Sequence, residues 1–197
     1  TCLTSTTMQA TFALADEQFA ANDYSGVMIG LPLAVQLHAG PLLYGRDEGN
    51  NWMVRCAAAT PLLKPICLER AAFCGRISRL SGQTVGDQVL HQALLDCGAA
   101  LRLDLFDPEQ ETDQAEAVPF RLAEGDWLLG VADLRGYLAF EPDDRLWQPL
   151  SGHISDIHRL LWQPAHPDFA ALRWVDSLPA QSFAPDQVFV TIKTDKT

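Results

Sequence analysis

The sequence predicts an α+β fold: antiparallel strands in meanders and hairpins, several short helices, and two similar-sized halves. Three observations lead there. Short apolar runs alternate with polar residues between Gly- and Pro-rich turns, the signature of half-buried strands. Other stretches repeat their apolar residues every three or four positions, as helices do. The strand connections are short, which suits hairpins better than parallel crossovers.

The elements follow in chain order. Met8, Phe12, Ala15 and Phe19 recur at helical spacing behind Thr7 as an N-cap, with an extended ATFALA strand as the alternative. Gly26–Gly30 reads as a short apolar strand. Leu33–Leu37 and Leu42–Tyr44 read as a hairpin around His38-Ala-Gly-Pro41, and Trp52–Cys56 returns after the turn Asp47–Asn51. Residues 66–80 and 84–97 carry Ile66, Phe73, Ile77, Leu80 and then Val85, Val89, Ala93, Leu94 on helical faces. Leu101, Leu103 and Leu105 alternate with Arg102 and Asp104, which predicts a half-buried strand.

Residues 108–118 hold Glu109, Glu111, Asp113 and Glu116 with almost no apolar side chain. They read as an acidic linker or loop between a half at 1–107 and a half at 119–197, with one single domain over 1–197 as the alternative. Beyond it, Trp127–Val131 and Tyr137–Phe140 read as two strands around Asp133-Leu-Arg-Gly136. Ser151 caps a predicted helix with Ile154, Ile157, Leu160 and Leu161, and a second short helix covers Asp168–Ser177. Val188, Val190 and Ile192 close the chain as a strand.

Composition bounds the function. The 197 residues are 48% hydrophobic and 20% charged, too apolar for a disordered chain. The formal charge is -11, and residues 99–197 hold 17 acids against 8 bases. No cluster of Lys and Arg exists to neutralise phosphates, so nucleic acid is not an expected partner. No run of about 20 apolar residues spans a bilayer, and the first eight residues have neither basic nor apolar signal-peptide regions. Five cysteines, an odd number without a Cys-x-x-Cys pair, read as reduced and mostly buried thiols, which points to the cytoplasm.

Phosphate-binding glycine loops, zinc-protease helices and nucleophile elbows are all missing from the sequence. The densest polar constellation is Ser151-Gly-His-Ile-Ser-Asp-Ile-His158, followed by His166 and Asp168. On a helix, His153 and Asp156 share a face, while His158 falls on the apolar stripe. Two placed ligands are too few for a metal, so no metal and no cofactor is expected. Cys97 follows His91 at the end of a predicted helix, a poor setting for a thiolate.

Aromatic and guanidinium groups concentrate in the second half instead. Arg145, Trp147, Arg159, Trp162, Arg173 and Trp174 are the side-chain types that anchor protein interfaces. The expectation is therefore a non-catalytic protein-binding adaptor, chaperone or small subunit of a larger cytoplasmic assembly. The alternatives are a small hydrolase using His153, Asp156 and His166, and a ligand-binding domain with a cavity between the halves.

Overall fold

The computed structural model describes residues 7–14, 27–46, 49–85, 88–105, 122–139, 150–163, 166–178 and 187–194. Among these residues eleven strands form one mixed sheet: β1 (Gln9–Leu14), β2 (Pro32–Tyr44), β3 (Trp52–Cys56), β4 (Leu62–Cys67), β5 (Arg70–Val85), β6 (Gln88–Asp96), β7 (Ala100–Leu105), β8 (Trp127–Ala139), β9 (Leu150–Gln163), β10 (His166–Val175) and β11 (Gln187–Lys193). No helix occurs among the described residues, and thus none long and apolar enough to cross a membrane.

The pairings close on themselves twice. β2 pairs with β7, β7 with β6, β6 with β5, β5 with β8, and β8 with β2 again. Further along the same two strands, β2 pairs with β9, β9 with β11, β11 with β1, and β1 with β8. Two five-strand circuits therefore share the antiparallel ribbon β2–β8. Strands from both sides of the acidic segment 108–118, itself outside the described residues, meet in this one sheet.

Alternation explains the shared walls. Leu33, Val35, Leu37 and Ala39 of β2 are buried, as are Leu128, Ala132 and Leu134 of β8, so one face of each strand lines the interior. Glycines of β8 make room for the two largest core rings. A β-carbon at Gly130 would strike the Phe73 ring of β5, and one at Gly136 the Phe12 ring of β1. Each circuit thus sets a phenylalanine from a flanking strand across a glycine of the ribbon.

The α+β expectation is overturned, and the errors have physical causes. The helices expected over 66–80, 84–97, 151–163 and 168–177 are strands, and the segment from Met8 contains β1. β-Bulges account for part of this. The β9–β11 register skips Ser155, so Ile154 and Ile157 both point inward although three residues apart. A register shift at Ser78 separates Ile77 from Arg79 in the same way. Phe73 and Ile77, four apart, suit period two as well as period 3.6.

The expected turns inside β2 and β8 are also corrected. Gly40-Pro41, joined by a cis peptide, bends β2 without reversing it. Gly40 has φ +145, and a side chain there would meet Asp104 of β7. β2 leaves β8 after Ala39, and β3 takes its place beside β8 while running parallel to the tail of β2. Asp133-Leu-Arg-Gly136 lies within the continuous strand β8. Gly26 lies outside the described residues, and residues 27–30 are not a strand: Met28 makes an isolated bridge to Ser177.

Candidate functional site: an apolar sheet face

The outward side of β3, β8, β5 and β4 is unusually apolar. Cross-strand register arranges it in rows: Trp52–Val131–Ala72–Lys64, then Val54–Leu129–Cys74–Leu62, then Cys56–Trp127–Arg76. The opposite parity, Met53, Phe73 and Leu63, is buried in the core, so these rows face away from it. Most row members are half-buried, and the margin is exposed: Leu62 42%, Ile66 56%, Leu68 41%, and Leu43 42% beside Trp52 at the tail of β2. Soluble proteins seldom leave so many adjoining large apolar groups in water without a use for them.

A polar clasp closes one end. Arg70 Nη1 donates to Asp133 Oδ1 at 3.1 Å, Arg70 Nη2 donates to the Asn50 carbonyl at 2.7 Å, and the Asp133 N–H donates to Asn51 Oδ1 at 3.0 Å. At the other end Arg55 pairs with Asp126 at 3.1 Å. Arg46 lies 5.7 Å over the Trp52 ring, a cation–π contact. Arg46, Lys64 and Arg76 have no ion-pair partner among the described residues. The Cys74 thiol is pushed up in pKa by burial and then by the neighbouring Cys56, so Cys74 sits protonated and unreactive within the face.

Charge is distributed differently from the whole-chain figure. Eleven of the fourteen Lys and Arg fall among the described residues, against nine of the twenty-five Asp and Glu. The described framework is thus slightly basic, and the acidic excess lies outside the described residues.

The interface residues expected from the sequence fall elsewhere. Arg145 and Trp147 lie outside the described residues. The rest are on the β9–β10 hairpin, where Arg159 pairs with Arg173, Trp174 with His158, and Trp162 with Ala170. Successive residues point to opposite faces, so Trp174, 58% exposed, stands on the side away from Arg173. Among the described residues β10 pairs only with β9 and leaves its other edge open.

His153 and Asp156 share a face, through the bulge at Ser155 and not through a helix. The Ser155 hydroxyl is hydrogen-bonded to Asp156 Oδ2 at 3.0 Å. His166 pairs with Gln163 at the hairpin tip, seven residues beyond Asp156. At about 3.3 Å per residue that is roughly 23 Å, so His166 does not join the other two in a reactive cluster. Among the described residues, no three His, Cys, Asp or Glu could hold a metal together. Outside this hairpin, His38 stacks on Tyr137 at 4.3 Å and pairs across strands with Arg102 and Arg135. Burial, then the Arg102 charge, holds its pKa down to about 4. A shallow cavity of about 100 Å³ lined by Arg79, Ser81, Gln92, Ala93 and Leu94 lies over β5–β6. That volume is well below the few hundred Å³ of ordinary ligand pockets.

Sequence reasoning missed the apolar face because β8, far along the chain, comes to lie between β3 and β5. The available signal was the outward set Trp52, Val54, Trp127, Leu129 and Val131, which repeats at period two. No protein-family model, curated protein or solved structure matches this chain.

Proposed function

We propose that this chain is a non-catalytic protein-binding module, an adaptor or small subunit of a larger assembly. The observation that carries the reading is the apolar outward face of β3, β8, β5 and β4, bordered by exposed Leu62 and Ile66. A sheet face of that composition gains stability by meeting a second layer. Exposed Trp174 on the open strand β10 offers a second contact. Cys56, Cys67, Cys74 and Cys97 are free thiols, in keeping with a reducing compartment such as the cytoplasm.

The test is photo-crosslinking in cell extract from the source organism, with a photoreactive residue at position 62 or 66 and controls at Ser81 and Arg135, outside the apolar rows. A defined protein captured from 62 and 66 but not from the controls supports the reading. Recovery of the same background from all four positions overturns it.

A further inference from the structure

We propose, resting on the protein-binding reading, that the partner element is an amphipathic helix whose apolar stripe is flanked by acidic residues, laid across β3, β8, β5 and β4. Three features of the face select that occupant.

The first is shape. Four strands at about 4.8 Å spacing make a surface about 14 Å wide between the outer strand axes. A helix with its side chains is about 10–12 Å across, so one helix fits between the margins. The second is the edge. β4 is paired only with β5 among the described residues, which would invite an added strand. Its centre is Lys64-Pro65, however. Proline supplies no N–H, and a charged edge opposes strand addition. The face, not the edge, is left open for docking.

The third feature is charge. Arg70 and Arg55 are neutralised by Asp133 and Asp126. Arg46, Lys64 and Arg76 have no ion-pair partner among the described residues, and they lie at three separate margins of the apolar rows. A helix with carboxylates on both sides of its apolar stripe places a negative group near each of them. An anionic membrane would meet the same cations, and binding to one is an outcome that overturns the proposal.

The experiment uses the full chain and two fluorescein-labelled 18-residue helical peptides. Both carry leucine at i, i+3, i+4 and i+7; one has glutamate and the other lysine at the flanking positions. Fluorescence anisotropy should show the glutamate peptide binding at least tenfold more tightly. The exposed-site variant Leu62→Glu/Ile66→Glu should abolish binding while leaving the thermal midpoint within a few degrees. Lys64→Glu/Arg76→Glu should reverse the preference, so that the lysine peptide binds more tightly.

Equal affinity for both peptides, absence of binding, or binding indifferent to these variants overturns the proposal. So does a dimer in sedimentation that dissociates in Leu62→Glu/Ile66→Glu, which would assign the face to a second copy. Binding to phosphatidylserine vesicles that this variant removes would assign it to a membrane. If the crosslinked partner is lost in Leu62→Glu/Ile66→Glu but not in Lys64→Glu/Arg76→Glu, the module still binds protein and only the acid-flanked helix fails.

Discussion

The ring of Phe12 on β1 stands in the space that a side chain at Gly136 on β8 would need. Phe12 is fully buried, and its strand joins β8 through the parallel pairs Ala13–Arg135 and Leu14–Gly136. One glycine therefore sets how closely β1 approaches the shared ribbon, and with it whether the second circuit closes.

Gly136→Ala should destabilise the protein by about 2–3 kcal/mol through overpacking, measured by urea unfolding. Combined with Phe12→Leu, it should cost at least about 1 kcal/mol less than the two single changes added together, because residues in contact couple. Strict additivity would mean that the ring and the glycine do not share that space.

His38 makes stability depend on pH in a defined window. Its folded pKa of about 4 lies below the ordinary 6.5, so the unfolded chain binds the proton first on acidification. The contribution is intact above about pH 7, is lost as pH falls through 6.5 toward 4, and levels off below that. After discounting for partial solvent access, the loss is on the order of 1–2 kcal/mol. Across the neighbouring strands it faces Arg102 and Arg135. The check is the difference in unfolding free energy between the wild type and His38→Gln, followed from pH 4 to 8. A constant difference would refute the assignment.

The thiols should divide by position. Cys97 is fully buried, its Sγ donates to the Ala99 carbonyl at 3.1 Å, and burial foremost pushes its pKa up to about 12. Cys67 is exposed at the end of β4. Iodoacetamide at pH 8, read by peptide mass mapping, should label Cys67 within minutes and Cys97 only in denaturant. Early labelling of Cys97 would show that the first circuit opens readily.

The clasp at the end of the apolar face should give a modest stability change. Asn51→Ala removes the acceptor used by the Asp133 N–H and should cost about 1 kcal/mol in urea unfolding. The Arg70–Asp133 pair is partly solvated, so Asp133→Asn should cost less, about 0.5 kcal/mol.

Trp174→Ala should leave stability within about 0.5 kcal/mol, since more than half of the side chain is already in water. If the β10 edge takes part in partner binding, the same change should weaken capture of a partner at least tenfold. Unchanged capture would confine binding to the other surface.

Much of the strand content was legible. Trp52–Cys56 and Ala100–Leu105 alternate cleanly, and β11 was readable from Val188, Val190 and Ile192. What misled was parity. A bulge turns a two-residue step into a three-residue one, and Ile154 with Ile157 then imitates a helical stripe. Gly136 and Gly40-Pro41 carried turn chemistry, yet both sit inside long strands, where close packing and a bend made use of them. No local pattern announces circuit closure, because the pairs that achieve it, such as Leu37 with Leu101 and Ala13 with Arg135, are dozens of residues apart. The apolar face was hidden for the same reason.

The common ribbon has a consequence for any attempt to dissect the molecule. A gene divided between codons 105 and 122 would yield one polypeptide holding β2 and another holding β8. Each fragment would lack a stave of both rings, so neither could be purified as a native piece. Expressed together they would have to find each other, and recovery of the whole from its parts would be a bimolecular event whose yield rises with concentration.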